Sequence, residues 1–380
     1  MRRSRICIIG LEDYGLLQGE STTRYVGGET VQHVLLARAW RDLGVDLSII
    51  VYDHGQPRVS EIDGIRLIAA YPPDAGVPAL RFVHPRITGM LAAMREADAD
   101  IYYQSLASVY TGVTAWFCRR YGKHFVFRIA SDAYCIPGKQ LIRFWRDRKI
   151  YEYGLKRADL IVAQTQYQQR LLRTHYGLES QIANLVVEPP RRRTERVERD
   201  IDVLWVSNFR PVKRPELVVE LARRLPDLRF CVVGGGPERD QQQMLRAAAE
   251  LSNLHYAGPV AYDAVGEYFD RAKLFVNTSS LEGFPNTFVQ AWIRGLPVVT
   301  FFDPDGLVAK RGLGVAVSSF EQMVDEVAAL TRDADRRTAI GNVAAAFATE
   351  NFSMRAVAGH YLNLFATQFA EASPVQPQMV

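Results

Sequence analysis

The sequence predicts an α/β protein made of two doubly wound domains that face each other across a cleft. Three observations predict this fold class. The chain has 380 residues, more than one hydrophobic core usually serves. Short apolar segments typical of buried strands alternate with segments of helical periodicity along the chain. A charged, proline-containing stretch, EPPRRRTERVERD at 188–200, separates two halves that share the same order of elements.

The composition argues against several classes of protein, among them nucleic-acid-binding, secreted and membrane-spanning proteins. Hydrophobic residues make up 48% and charged residues 23%, as in soluble globular chains. The formal net charge of +4 is too small to predict nucleic-acid binding, although it suits acidic ligands or an anionic membrane surface. The four cysteines lack metal-ligand spacing, and no apolar run is long enough for a signal peptide or a membrane span. We therefore expect a reduced, cytoplasmic protein.

The first half, residues 1–187, opens with a predicted strand at 5–10 and a predicted helix that follows Gly27 and Gly28. A second strand is predicted at 45–52, and this order is typical of a parallel sheet. The two glycines would let the backbone approach a phosphate, and a tight turn without a ligand is the alternative. Further short strands are predicted at 66–71, 101–104, 125–129 and 160–163.

Residues 138–159 interleave basic and aromatic side chains in a predicted amphipathic helix. Such a helix can lie on an anionic lipid surface. The alternative is an ordinary solvated face whose aromatic residues pack into the core.

After the linker at 188–200, a second domain is predicted over 201–355. It starts with a strand at 202–207, and a later strand ends in the turn GGGP at 234–237. An amphipathic helix is predicted at 356–372, followed by a tail at 373–380.

The most informative stretch is 277–299, NTSSLEGFPNTFVQAWIRGLPVV. It predicts a polar loop at a strand end, a helix that begins at Pro285 or Asn286, and the next buried strand. Backbone N–H groups beside Glu282 and Gly283 favour an anion next to hydroxyl groups. A sugar diphosphate combines both features.

These residues resemble the donor-site motif of glycosyltransferase family four, written as a glutamate, seven residues and a second glutamate. Members of the family are retaining enzymes of the GT-B fold, whose last helix crosses back to the first domain. The order of GGET, VSNFRPVKRP, FCVVGGGP and HYAGPV also fits, so the resemblance covers essentially the whole chain.

The resemblance implies a role for each matching residue. Glu282 would contact hydroxyls of the transferred sugar, and Lys213, with Arg210, would neutralise the diphosphate. The first domain would bind the acceptor, and the second the donor. The implied donor-binding residues are Gly27, Gly28, Asn208, Gly234, Val260, Gly283, Phe284, Pro285, Asn286, Thr287 and Gln290.

The chain departs from the family pattern at two donor positions. Gln290 replaces the second glutamate, which grips the ribose, and we expect a loss of roughly 1–2 kcal/mol in that contact. Asn208 stands where the family has an arginine, and of the nearby Arg210 and Arg214 we favour Arg210 as the substitute.

The histidine that many relatives carry after a first-domain strand is missing as well, because residues 101–105 read IYYQS. Gln104, Arg128 and Asp132 are therefore the polar candidates on the acceptor side.

Three Asp-x-Asp pairs, at 98–100, 303–305 and 333–335, could hold a divalent ion on a diphosphate. Their places at predicted helix ends favour turn and capping roles instead. We expect no metal and no cofactor, with a nucleoside-diphosphate sugar as substrate.

The sequence thus predicts a retaining glycosyltransferase that acts on a glycan or lipid-linked acceptor, in surface polysaccharide assembly. The expected partners are the nucleotide sugar, the acceptor and an anionic membrane surface, not nucleic acid, and the enzyme could lie at the inner face of the membrane. The first alternative is a non-catalytic GT-B protein that binds a sugar nucleotide or a partner enzyme. A GT-B epimerase or phosphorylase is a further alternative, although a phosphorylase should show a cofactor lysine motif.

Overall fold

The computed structural model describes residues 5–19, 27–77, 80–190 and 197–369. Two parallel-sheet α/β domains lie on either side of the predicted linker, which confirms the predicted fold class. The middle of that linker, 191–196, and the tail, 373–380, lie outside the described residues.

The first domain contains an eight-stranded sheet in the order β3-β4-β2-β1-β5-β6-β7-β8. All neighbouring strands are parallel except β3, which pairs antiparallel with β4. The strands are β1 Arg5–Ile9, β2 Asp46–Val51, β3 Val59–Ile62, β4 Ile65–Ala69, β5 Ile101–Gln104, β6 His124–Arg128, β7 Leu160–Ala163 and β8 Gln181–Ile182.

Helices cover both faces of this sheet because its strands are apolar on both sides. The helices are α1 Tyr14–Leu17, α2 Gly28–Asp42, α3 Thr88–Ala97, α4 Val109–Tyr121, α5 Trp145–Leu155 and α6 Gln166–Tyr176, with short helical turns at Phe82–Ile87 and Asp132–Cys135.

The second domain contains a six-stranded, fully parallel sheet in the order β11-β10-β9-β12-β13-β14. Its strands are β9 Ile201–Val206, β10 Phe230–Val233, β11 Leu254–Gly258, β12 Ala272–Asn277, β13 Val298–Thr300 and β14 Gly314–Ala316. Its helices are α7 Pro215–Arg224, α8 Glu238–Glu250, α9 Tyr262–Arg271, α10 Asn286–Trp292, α11 Leu307–Arg311, α12 Phe320–Arg332 and α13 Ala334–Phe352, with short helical turns at Pro211–Lys213 and Pro304–Gly306.

The last helix, α14 Met354–Phe369, returns to the first domain, as predicted. Ala358, Tyr361 and Phe365 pack against Trp40 of α2 within the first domain's core. The Trp40 indole N–H donates to the Ala358 carbonyl at 3.3 Å. The first domain is therefore completed by residues from the end of the described chain.

The basic and aromatic stretch differs from its prediction. Its helix, α5, begins only at Trp145, and the side chains of Leu141, Phe144 and Trp145 are 69%, 55% and 72% exposed. Tyr151 and Leu155 are buried in the core, and Ile142 and Ala158 pack against it. The alternative that placed the aromatic residues of this stretch in the core is thus wrong for Phe144 and Trp145.

The helices α4 and α5 cross at close range, and this crossing fixes where α5 lies. A Cβ added to Gly154 would collide with the Thr111 carbonyl, and one added to Gly112 would lie 2.5 Å from the Ile150 carbonyl oxygen. Two helix axes can approach this closely only where side chains are absent.

The acidic pairs serve as helix caps, in line with the sequence-based expectation. Asp98 ends α3 in a left-handed conformation and pairs with Arg5 and Lys123. Asp333 accepts a hydrogen bond from a backbone N–H of α13, and Asp303 accepts one from α11. All four cysteines are buried, free thiols.

Within the described residues, every helix is too short or too polar to cross a membrane.

We predict opposite effects of alanine at two helical glycines. Gly154→Ala should lower the free energy of unfolding by about 1–3 kcal/mol, because the new Cβ overpacks the α4–α5 crossing. Gly359→Ala, the matched control in α14, has open space around it and should raise stability by about 0.5–1 kcal/mol. Urea unfolding followed by circular dichroism measures both. Equal stability gains would mean that α4 and α5 do not cross this closely.

Candidate active site

A cavity of about 440 Å³ lies between the two domains. All three predicted catalytic residues and all eleven predicted donor-binding residues line it. It is placed at the carboxyl ends of β9, β10 and β12, where ligands gather in parallel sheets. The structure therefore brings the whole predicted set together, while the role of each residue stays a prediction.

At one point of the cavity, a cation and a carboxylate meet. The Lys213 Nζ lies 2.5 Å from Glu282 Oε1, and the Asn277 amide nitrogen lies 3.5 Å from the same oxygen. The two charged side chains keep 20% and 11% of their surface exposed. This partial burial strengthens the pair, yet leaves both groups within reach of a ligand.

Buried hydrogen bonds hold the loops that carry this pair. The Thr278 hydroxyl accepts from the Trp205 indole N–H at 2.9 Å and donates to the Lys213 carbonyl at 2.6 Å. The Ser280 N–H donates to the Val212 carbonyl at 2.8 Å. The loop after β9 and the loop after β12 thus form one unit.

That unit touches the first domain at two glycines. The Asn286 amide group donates to the Gly28 carbonyl at 2.8 Å, and a Cβ on Gly28 would lie 2.8 Å from the same amide nitrogen. A Cβ on Gly283 would lie 2.6 Å from the Ala130 carbonyl oxygen. A side chain at Gly283 would therefore press on the backbone of the other domain, whereas one at Gly28 would displace the Asn286 side chain.

A third contact joins the domains beside the cavity. The Asp305 carboxylate of the second domain accepts hydrogen bonds from the backbone N–H groups of Gln166 (2.7 Å) and Tyr167 (2.9 Å). These two N–H groups begin α6, so a carboxylate from one domain caps a helix of the other.

The two candidate arginines point in different directions. Arg210 lines the cavity. The Arg214 Nε donates to the Thr278 carbonyl at 2.6 Å, and its guanidinium lies over the Phe301 ring. This geometry favours Arg210 over Arg214 as the second cation. Asn208 lies on the same wall of the cavity.

Gln290, on α10, lies where the family has its second glutamate. Its side chain lies near the hydroxyl of Tyr262, which also packs against the first domain's core. Gly234 forms the neighbouring wall with a φ of 128°, and a Cβ there would collide with the Ser207 carbonyl oxygen. Only glycine fits this position.

The acceptor-side candidates lie behind or beside the cavity. Gln104 and Arg128 are buried, and Arg128 holds Glu29, which does line the cavity, through a 2.9 Å ion pair. Asp132 lines a second cavity of about 270 Å³ that shares the Gly283 wall. Their acceptor-side role stays a prediction.

Sequence reasoning missed a buried network in the first domain. The His33 ring lies 2.9 Å from the Asp13 carboxylate and 2.5 Å from the Ser105 hydroxyl. Burial lowers the pKa of His33, but the Asp13 carboxylate outweighs this effect and raises it above its ordinary value. His33 therefore reaches, from α2, the strand end at which the family's histidine is missing. Helical spacing from Gly28 was the only available signal.

The Asp132 carboxyl has a strongly shifted pKa. Burial raises this pKa to about 6, the Gln168 hydrogen bond opposes the rise, and the carboxylates of Asp305 and Glu282 add to it. The folded protein therefore binds the Asp132 proton more tightly than the unfolded chain does. Its free energy of unfolding should fall as the pH rises from about 4 to 6.

We predict that Asp132→Asn abolishes this fall in the free energy of unfolding between about pH 4 and 6. The amide cannot ionise, and its oxygen can still accept from Gln168 at the wild-type distance of 2.9 Å. At pH 7.5 the variant should be more stable than wild type by on the order of 2 kcal/mol, with no difference near pH 4. Urea unfolding at both pH values measures this, with Asp227→Asn as the control for removal of an exposed carboxylate. A gain that is equal at both pH values would contradict the prediction.

Two family models match adjoining parts of the chain, which together cover residues 26–346. The model described as Glycosyltransferase Family 4 matches 26–187, and the model described as Glycosyl transferases group 1 matches 187–346. A lipopolysaccharide core biosynthesis glycosyltransferase of Rhizobium meliloti is 26% identical over 174 residues, which cover 44% of this chain and 50% of that protein. The chain aligns with about half or less of the length of the curated relatives it matches.

Solved structures agree over nearly the whole chain. Sucrose-phosphate synthase from Thermosynechococcus elongatus superimposes with a TM-score of 0.78 at 15% identity, over 97% of this chain and 100% of that one. Anabaena HepE, solved with UDP-glucose, gives 0.74 at 14% identity, over 96% and 99%. Such identities show the shared GT-B fold alone. Together with the two family models, one for each half, they lead to one conclusion: the chain belongs to glycosyltransferase family four.

Proposed function

We propose that the protein is a retaining glycosyltransferase. It moves a sugar from a nucleoside-diphosphate sugar to a glycan or lipid-linked acceptor in the assembly of a surface polysaccharide or glycolipid. The observation that carries this proposal is the Lys213–Glu282 pair, which lies in the interdomain cavity beside the backbone of 283–286.

Each charge of the pair suits one part of the donor. Lys213 and Arg210 offer positive charge to the diphosphate, on which negative charge grows as the bond to the sugar breaks. Glu282 can accept hydrogen bonds from sugar hydroxyls next to it. This distribution of charge needs no divalent metal.

The transfer can proceed on one face of the sugar. The bond from the sugar's anomeric carbon to the diphosphate oxygen breaks, and a bond to the acceptor oxygen forms on the same side. The acceptor's proton passes to the departing diphosphate, so no enzymatic base is required. This suits a cavity wall in which the family's histidine is absent and His33 is buried.

The relatives suggest which substrates to test first. Anabaena HepE was solved with UDP-glucose, and the Rhizobium meliloti protein is named for lipopolysaccharide core biosynthesis. UDP sugars and lipid-linked glycans are therefore the first donors and acceptors. Thermal shift with a set of nucleotides would identify the base, since a ligand at 100 times its Kd stabilises by about 2.7 kcal/mol.

A non-catalytic GT-B protein that binds a sugar nucleotide is the second candidate. Gln290 and Asn208 favour it, because both stand where the family has charged residues. The two candidates differ in turnover, not in donor binding.

We predict that Lys213→Ala lowers kcat by about 100- to 1,000-fold, because it removes charge stabilisation of the leaving diphosphate. Asn208→Ala, the matched control on the same wall, should lower kcat by less than tenfold. Release of nucleoside diphosphate in the presence of acceptor measures both, and thermal melting confirms that both variants fold. Equal, small effects would remove Lys213 from the site.

We also predict that Gln290→Glu tightens donor binding. A carboxylate can accept from both ribose hydroxyls, whereas the Gln290 amide has a single acceptor oxygen, and a gain of 1–2 kcal/mol corresponds to about 5- to 30-fold in Kd. Calorimetry with the donor measures this, with the exposed Gln243→Glu of α8 as control. A wild type that binds donor without turnover, together with a Gln290→Glu variant that turns over, would establish the non-catalytic candidate.

A further inference from the structure

A pocket of about 570 Å³ opens on the outer surface of the first domain, between α3, α4 and α5. We call it the outer pocket, and its lining includes Ile87, Leu91, Val113, Trp116, Trp145 and Ile150. Its volume falls within the range of about 300–1,000 Å³ that is common for ligand pockets. None of the donor residues lines it.

The outer pocket is held open by the α4–α5 crossing. Gly112, at the crossing, also lines the pocket, so the backbones of the two helices meet at its base. Trp116, later on α4, and Trp145, at the start of α5, also line the pocket, and Trp145 is largely exposed. Large exposed apolar surfaces of this kind mark contacts with partners or membranes.

Positive charge surrounds the outer pocket. Arg146 and Lys149 lie on its lining, and they pair with Asp147 (2.9 Å) and Glu152 (3.0 Å). Residues 139–157 hold seven basic and only these two acidic side chains, so the stretch keeps a net positive charge. The Arg146 guanidinium lies 3.6 Å from the centroid of the Phe82 ring. This stacking fixes a cation at the edge of an apolar surface.

We propose that the outer pocket takes one hydrocarbon chain of an anionic membrane lipid. The apolar lining matches the chain, and Arg146 and Lys149 match the negative headgroup next to it. Exposed tryptophan beside basic residues suits the interface between headgroups and hydrocarbon. A protein partner with an acidic rim around an apolar anchor would fit less well, since the surface is a concave pocket of limited volume.

The chain connects the outer pocket to the cavity between the domains. Leu141 lines that cavity, and Trp145, four residues later, lines the outer pocket. An extended segment of four residues spans at most about 14 Å. Bound to a membrane through the outer pocket, the protein therefore holds the cavity near the lipid surface. With the proposed function as its premise, this arrangement selects a lipid-linked acceptor over a soluble glycan.

Tryptophan fluorescence on vesicles tests the proposal. Three of the five tryptophans, Trp40, Trp205 and Trp292, are buried, so quenching by lipids with brominated acyl chains reports on the two in the outer pocket. Vesicles of phosphatidylglycerol should bind the full-length protein and quench it, whereas pure phosphatidylcholine should bind at least tenfold more weakly. Trp145→Phe should reduce the quenching and preserve binding.

Two variants separate the outer pocket from the surrounding charge. Leu91→Arg puts a cation inside the pocket, and Trp145→Ala, at an exposed position that tolerates change, removes part of its wall. Each should weaken vesicle binding at least tenfold, while Leu245→Ala and Leu245→Arg, at an exposed leucine of α8, should leave it unchanged. Vesicle binding that is unchanged in both pocket variants, or that occurs without quenching of tryptophan fluorescence, would overturn the proposal. A wild-type protein that does not bind vesicles, but forms a defined protein complex through these residues, would also overturn it.

Donor binding, measured by thermal shift on the same variants, distinguishes the two proposals. It should stay at the wild-type level in Leu91→Arg and Trp145→Ala. If the protein does not bind vesicles but transfers sugar to a soluble glycan, the outer-pocket proposal is refuted and the proposed function is supported. A protein that binds vesicles through the outer pocket but binds no nucleotide sugar does the reverse.

Discussion

The site depends on how closely the two domains approach at the loop after β12. Gly283 lacks a side chain where the backbones of opposite domains nearly touch, and the Asn286 amide donates to the Gly28 carbonyl across the gap. Asp305 adds a contact by capping α6. Because these contacts lie beside one another, the cavity has walls from both domains.

Two layers of support lie behind the cavity walls. In the second domain, the Thr278 hydroxyl links the buried Trp205 indole to the backbone of Lys213, so the loop that carries this lysine is fixed to the domain core. In the first domain, the buried Arg128 holds the partly exposed Glu29 through an ion pair, and the hydrogen bonds of His33 to Asp13 and Ser105 are buried. Contacts of this kind fix side-chain positions before a ligand binds.

Most of the fold, and the set of residues that line the cavity between the domains, could be predicted, because apolar strands and their loops are local in sequence and parallel strands bring their carboxyl ends together. Prediction failed where the position of an element or side chain depends on residues that are distant in sequence. The edge strand β3, Val59–Ile62, reads VSEI and has too few apolar residues to stand out. Phe144 and Trp145 look like core residues, yet the α4–α5 crossing turns them outward. His33 meets Ser105 only after folding, across 72 positions of chain.

The return of α14 to the first domain has a consequence for synthesis on the ribosome. The core around Trp40 closes only when Tyr361 and Phe365 arrive. At about 5–20 residues per second, the roughly 180 residues between position 187 and the end of α14 take roughly 10–40 s to translate. During that interval the nascent first domain carries an uncovered apolar face on α2, so the core of the first domain closes only after the second domain has been made.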